Sequence, residues 1–466
     1  MVLNTALLHR DVGKSNTTDI TLSANMKSSN FFLYSTVEST LTSLASVYVF
    51  FLLQYPFFGA AMFVALLAFP IGGLIGQRIA LRAVRTFNTS DDGRTAIVTG
   101  LMSAIVRVNA NVFTTRLVQF LSVINISAVV WLEIKILTTI VLSVIFGIEY
   151  DASNALEFGL TAGVVAGLLV QFVLRFGMQG VVATDALYWP FIILSAVIVV
   201  FVTMATAYGK SGGLNELISN ISLDPLIDPL TLGFFLLNII LVNAVYHVGR
   251  DDLWLRLSAF SNEIHQDNLA ASRLFKATIL ALPVWLVLIL AGMMIPVLIG
   301  RPAESIVEVI DAVRVSSIIP PILILGMLAA MLSTCDNQFF SLRRLFLYSP
   351  HTNTVRSWVF NRRDTAIVSL AVGLLVLLLT SAAVFFDVND QNLVFACLGL
   401  PAVVFPVVNQ SLGMRKAHPA DVFVPMIVYV LLIIIGLNEG GIPSLFIIAA
   451  APVSLLVGLV YSRTHK

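Results

Sequence analysis

Stretches of about 20 apolar residues recur from end to end of this chain, each long enough to cross a hydrocarbon core of roughly 30 Å as a helix. Inside a bilayer the backbone must satisfy its own hydrogen bonds, which leaves helices or a closed barrel. Long runs without polar alternation exclude the short strands of a barrel. Composition agrees. Of 466 residues, 58% are hydrophobic and 11% are charged, whereas soluble domains carry about a quarter charged residues; mean hydropathy is +0.94. The sequence therefore predicts an all-α polytopic membrane protein. Its aqueous loops are too short to hold a catalytic domain, so an enzyme is not expected. The net charge of +1 points to no nucleic-acid partner. Cys335 and Cys397 both fall in apolar runs, which argues against a disulfide framework. Residues 1–30 lack the apolar core of a signal peptide and read as a polar tail.

Twelve spans are predicted, near 31–54, 57–77, 117–148, 155–175, 185–208, 231–249, 270–300, 319–342, 365–386, 391–412, 420–437 and 441–461. Lys and Arg in short loops are retained on the cytoplasmic side. With the N-terminus inside, 23 of the 27 basic residues fall on that side, Lys210, Arg301 and Arg314 fall outside, and Lys135 lies within a span. Both termini are thus expected in the cytoplasm, in a multi-pass protein of the plasma (inner) membrane. Residues 302–318 place Ile306, Val309, Ile310 and Val313 on one helical face, the pattern of an amphipathic helix lying across the outer surface as a possible lid. Acids dominate the outer loops, among them Glu149, Asp151, Asp387 and Asp390. They suit a cation-collecting mouth, although acids tolerate either side of a membrane.

Against this apolar background the run Ala329-Ala330-Met331-Leu332-Ser333-Thr334-Cys335-Asp336-Asn337-Gln338 stands out. An acid at the centre of a membrane helix costs roughly 2.5–3.5 kcal/mol even on the lenient insertion scales, so these groups need a use inside the protein. Ser333 and Thr334 offer hydroxyl oxygens, Ala330 precedes them on the same helix face, and Asp336 adds a carboxylate. This is half of a cation site; another helix must supply the rest.

Span 1 carries Ser35, Thr36, Glu38, Ser39, Thr40, Thr42, Ser43 and Ser46 ahead of the apolar run Val47–Leu53. Either its backbone is broken and its carbonyls bind an ion, or the hydroxyls bond back to carbonyls one turn earlier. Span 6 ends in Asn243-Ala244-Val245-Tyr246-His247-Val248-Gly249, which reads as a discontinuity facing a cavity or as an interfacial belt. In span 5, Thr184 or Asp185 taken alone is most simply a helix cap. Glu133 and Lys135 in span 3 point to different faces, so each needs its own partner.

These segments, in this order, resemble the sodium:solute symporter family, whose members share the LeuT-type fold of two inverted five-helix repeats. Three pieces carry the match. Pro320-Pro321 through Ala329-Ala330-Met331-Leu332-Ser333-Thr334-Cys335-Asp336-Asn337-Gln338 is similar to the family's proline start and A-x-x-S-T-x-D-S-Q core. Gly180-Val181-Val182-Ala183-Thr184-Asp185 resembles the start of its span 5. Asn243, Tyr246 and Gly249, with Arg256 and Ala259, resemble its span 6 and following loop. The resemblance runs from about residue 26 to the end of span 10.

The resemblance implies a cytoplasmic tail over 1–30, a first repeat over 31–208, a second over 209–412, and two additional helices over 413–466. It implies a coupling sodium ion between spans 1 and 8, held by carbonyls near Ser39 and Thr42, the carbonyl of Ala330, and the hydroxyls of Ser333 and Thr334. Asp185 and Asp336 would line the ion's exit or a second ion position. A small hydrophilic solute would sit near the midplane beside Asn243, Tyr246 and His247. The expected function is sodium-coupled symport by alternating access. Two other readings stay open: a transporter-like sensor or scaffold that binds solute without moving it, and a proton-driven transporter using Glu38, Glu133 and Asp185.

Overall fold

The computed structural model describes residues 48–88, 111–246, 267–314, 318–349, 354–355, 362–413, 415–439 and 443–464. Nearly all of them are helical, and nine helices among them are long and apolar enough to cross a membrane. In chain order they begin with two short turns, α1 (Phe50–Leu53) and α2 (Tyr55–Phe58), followed by α3 (Ala61–Asn88) and α4 (Val112–Ile140). Next come α5 (Ala155–Ser211), α6 (Leu214–Asn220), α7 (Pro229–Tyr246), α8 (Asp267–Ile299), α9 (Ile306–Ala312) and α10 (Ile319–Leu347). A two-stranded ribbon (Tyr348–Ser349 with Thr354–Val355) leads to α11 (Arg362–Phe385), α12 (Asp390–Gly399), α13 (Pro401–Leu412), α14 (Ala420–Glu439) and α15 (Leu445–Thr464).

Local chemistry sets several boundaries. Asn111 starts α4 by accepting hydrogen bonds from the backbone N–H of Phe113 (3.0 Å) and Thr114 (3.4 Å), which satisfies donors that a helix N-terminus leaves open. Asp228 does the same for α7 through Leu230 and Thr231, and Asn389 for α12 through Gln391. The turn between α2 and α3 depends on Gly59, whose φ is +53° and whose added Cβ would lie 2.3 Å from the carbonyl oxygen of Leu223. There the backbone N–H of Ala60 donates to Leu223 (2.9 Å) and that of Leu226 to Phe57 (3.0 Å). The α2–α3 turn is thereby stitched to the segment leading into α7.

α5 joins the two expected spans, 155–175 and 185–208, in one helical element. Its backbone stays helical for 57 residues, about 85 Å if straight and far longer than one bilayer crossing. Contacts show that it turns back on itself. α4 runs antiparallel to α10, because Gln119 bonds the carbonyl of Leu345 and Cys335 that of Val130. It runs parallel to α11, because Trp131 bonds Thr380 and Lys135 reaches Val388 just beyond. Thus α10 and α11 oppose each other. Along α5, Gly159 meets Ser381, Gly163 meets Gly373 and Gly167 meets Ser369, which makes the first part antiparallel to α11. Further on, Asp185 meets Ser333 and Ser195 meets Gly326, which makes the second part antiparallel to α10. The reversal falls between Leu174 and Leu187, the ends of two candidate membrane crossings. Thr184 and Asp185 fall in this reversing stretch, and the side chains of both are engaged by α10.

Other boundaries also differ. Among the described residues of 302–318, the helix is the short α9, with Ile306, Val309, Ile310 and Val313 buried as the periodicity predicts. α3 continues past residue 77, where the second span was expected to end, as far as Asn88. The predicted span 391–412 is two helices broken at Leu400, where Pro401 opens the second. Large apolar side chains such as Leu160, Val164, Leu168, Phe201, Leu370 and Leu378 point outward, more than 45% exposed, as a lipid-facing surface requires.

Candidate ion and solute site

The polar run of span 8 lies within α10, and its side chains are buried: Ser333 is 0% exposed, Asp336 1%, Asn337 3% and Gln338 3%. The reversal of α5 brings Asp185, itself 0% exposed, against them. Ser333 Oγ donates to Asp185 Oδ1 at 2.8 Å. Asn337 Nδ2 lies 3.3 and 3.5 Å from the two oxygens of the same carboxylate and also donates to the carbonyl of Ser333. One helical turn along the same interface, Thr184 Oγ1 donates to Asp336 Oδ2 at 3.0 Å. Two carboxylates 151 positions apart in sequence are thus set into one seam between α5 and α10.

The hydroxyl geometry sets this seam apart from ordinary helix packing. Ser and Thr inside membrane helices commonly bond the carbonyl three or four residues back. Thr139, Thr203, Thr206 and Ser369 do so here. Thr334 does not. Its Oγ1 is buried and makes no hydrogen bond among the described residues. Ser333 also turns away from its own helix, and giving its proton to Asp185 leaves its oxygen lone pairs available. The Ala330 carbonyl lies one turn before Ser333 and Thr334 on the same helix, and the Asp185 carboxylate faces Ser333 across the seam. Hard cations take such oxygen ligands, and a buried orphan acceptor is costly unless something meets it.

Of the sequence-predicted residues, Asp185 meets Ser333 and Asp336 meets the neighbouring Thr184, while Ala330 and Thr334 share α10 with Ser333 and Asp336. Ser39, Thr42 and His247 lie outside the described residues. Asn243 and Tyr246 fall in the last turn of α7, with only their backbone described. Sequence reasoning missed Asn337, which bridges Asp185 to the α10 backbone; its spacing of four from Ser333, on one helix face, was the available signal.

Span 3 supplies a second buried polar centre. Lys135, 1% exposed, forms an ion pair with Asp390, donates to the carbonyl of Val388 at 3.4 Å and lies 4.8 Å from the ring centre of Tyr150. The partner that Lys135 requires is therefore one of the acids predicted to line the outer loops. Beside this pair, Gln391 reaches the carbonyl of Glu304 (3.5 Å), and the Asn392 amide oxygen accepts from the backbone N–H of Ser444 (3.0 Å). The start of α12 is tied to three other segments.

This architecture, an all-α polytopic bundle with α5 doubling back against α10 and α11, is the LeuT-type fold. Among solved structures the chain is similar to a substrate-bound, outward-open Na+-coupled sialic acid symporter, at 15% identity and a TM-score of 0.58, over 97% of this chain and 93% of that one. It is also similar to Mhp1, a nucleobase-cation-symport-1 family transporter, closed with bromovinylhydantoin bound, at 15% identity and a TM-score of 0.52, over 93% and 92%. A manganese transporter from Eremococcus coleocola gives 13% identity and a TM-score of 0.52, over 97% of both chains. No family model and no characterised relative matches the sequence. At these identities the likeness defines the fold.

Proposed function

We propose that this chain is a sodium-coupled secondary active symporter of a small hydrophilic organic solute, of the sodium:solute symporter type. The observation that carries the reading is Thr334 Oγ1, buried and unbonded beside a Ser333 hydroxyl already committed to Asp185. Sodium would take the Ser333 and Thr334 hydroxyls, the Ala330 carbonyl and, from span 1, carbonyls near Ser39 and Thr42. Asp185, with Asp336 behind it, would form the exit or a second ion position. Asn243, Tyr246 and His247 would contact the solute.

Hydroxyl and carbonyl ligands suit a monovalent ion, whose charge dipoles can balance. No group of three His, Cys, Asp or Glu side chains among the described residues is placed to hold a metal ion, so a manganese cargo draws no support from these residues. The inverted repeats would divide near residue 208, with both termini cytoplasmic. One charge crossing 100 mV releases about 2.3 kcal/mol before any gradient is counted, which suffices when sodium favours the solute-competent state.

The proton-driven reading keeps one specific support, the full burial of both Glu133 and Asp185. Uptake into liposomes separates the readings. Accumulation driven by a sodium gradient, lost in Ser333→Ala/Thr334→Ala, is the expected result. Accumulation driven by a pH gradient alone would replace sodium with protons, and solute binding without accumulation would make the chain a sensor.

A further inference from the structure

Gln54 separates α1 from α2, and it is 0% exposed. Neither its side-chain oxygen nor its side-chain nitrogen has a hydrogen-bond partner among the described residues. The backbone bonds from Gln54 N to the Phe50 carbonyl (3.2 Å) and from Phe58 N to the Gln54 carbonyl (3.1 Å) keep helical spacing through the break. Phe50, Gln54 and Phe58 therefore share one helix face.

That face closes on two other helices. Phe58 stacks on Phe235 of α7 with ring centres 3.6 Å apart, and Phe50 lies 6.2 Å from the same ring. Both also meet Phe395 of α12, at 6.2 and 5.9 Å. All four rings are buried. Gln54 thus lies on the helix face that makes this phenyl contact, where α1–α2 and α7 meet α12. Phenyl faces offer weak N–H···π contacts and nothing to the amide oxygen. A trapped water would need at least two polar partners, and the phenyl rings supply none. Such an amide penalises the closed contact, and the penalty disappears once the contact opens to water.

We propose that Gln54 is a built-in destabiliser of this closed aromatic contact. It holds the equilibrium near balance, so that solute and ion binding can decide whether the gate is shut. The contact itself is apolar and would close tightly without it. α12 stays fixed by Lys135–Asp390 and by Gln391 and Asn392, so parting occurs at the phenyl rings. This rests on the alternating-access reading, since only a chain that opens has an equilibrium to bias.

The test uses Val394→Cys, buried in α12 beside Phe395, in a full-length chain whose two native cysteines are replaced by alanine. A charged methanethiosulfonate reagent reads how often the contact opens. Gln54→Met, of similar volume, is expected to slow modification about tenfold, the scale of one unsatisfied buried amide. Gln54→Glu, whose carboxylate costs more to bury, is expected to speed it. Equal rates in wild type and Gln54→Met overturn the proposal, as does a rise in Tm without a change in rate. Should Gln54→Met fail to fold, an unchanged rate in Gln54→Glu overturns it alone. A reporter that reacts in no variant, with or without sodium, overturns the proposal together with alternating access. Failed uptake beside shifted modification rates would sink symport and leave the gate standing.

Discussion

The two arms of α5 solve the same problem, holding one helix against another in a membrane, by opposite means. The first arm meets α11 through small residues: a Cβ on Gly159 would come within 2.0 Å of Ser381 Oγ, and one on Gly163 within 2.7 Å of the Gly373 carbonyl. Backbones approach closely there, and dispersion with short polar contacts holds them. The second arm keeps one such contact, Gly326 against Ser195, and then gives way to Asp185, Ser333, Asn337, Thr184 and Asp336. A pair of helices needs no buried carboxylate to pack, as the first arm demonstrates within the same element. The charge in the second arm is therefore not required for two helices to pack.

The largest effect should come from the first arm. Gly163→Leu drives a side chain into the Gly373 carbonyl and Leu377, and backbone cannot yield as a flexible side chain does. A cost beyond roughly 3 kcal/mol is expected, read as loss of the monodisperse peak on size-exclusion chromatography of the solubilised protein. A well-folded Gly163→Leu would break the comparison, because the first arm would then not depend on close approach. Next comes Asp185→Leu, which strips Ser333 and Asn337 of their shared acceptor and should destabilise by about 1–3 kcal/mol. Asp185→Asn keeps an acceptor oxygen in place and should fold, while losing sodium-dependent uptake. If Asp185→Asn retained full sodium dependence, the charge would be structural after all and the contrast between the arms would fail.

Much of this was legible beforehand. The all-α membrane class followed from span length and composition, and the cost of placing Ser333, Thr334 and Asp336 in an apolar helix marked out the buried polar run of α10. The pairing was not legible. Asp185 alone reads as a cap, because Thr-Asp after a glycine is local helix-start chemistry, and only the reversal of α5 sets it opposite Ser333. Lys135 announced that it needed a partner without saying which acid, since a contact 255 positions away leaves no periodic trace. Gln54 gave no signal at all: a single Gln after an apolar run looks like the end of a span, and its significance lies in four phenyl rings drawn from three separate segments.

Thr334→Val sharpens the comparison more finely. It removes an oxygen that bonds nothing among the described residues and replaces it with a methyl of similar shape, so stability without sodium should change by less than about 1 kcal/mol or rise. Sodium should stabilise the wild type by an amount that grows with the logarithm of its concentration, and that increment in Tm should shrink or vanish in Thr334→Val. An unchanged sodium increment would remove Thr334 from the ion's ligands while leaving Ser333 and Asp185 in place.

The smallest effect lies where the first arm begins. Asp151 Oδ1 accepts from the Ser153 hydroxyl (2.6 Å) and from the backbone N–H of Ser153 (2.9 Å) and Asn154 (3.1 Å). The Ser153 hydroxyl bond, followed by the backbone donors, holds its carboxyl below the usual carboxylate range. A carboxyl lowered on folding contributes stability that is complete above its unfolded pKa, roughly 3.9, and is lost as the pH falls through the folded value. Asp151→Ala should therefore lower Tm slightly at neutral pH, and the gap to wild type should close on acidification below about pH 4. This cap is fully exposed, and solvent keeps its effect small. The buried second arm lacks that screening, so Asp185→Asn should alter sodium-dependent stabilisation far more than Asp151→Ala alters Tm. Comparable effects of the two substitutions would mean that the seam around Asp185 is open to water, and the distinction between a packing arm and an ion-binding arm would not survive.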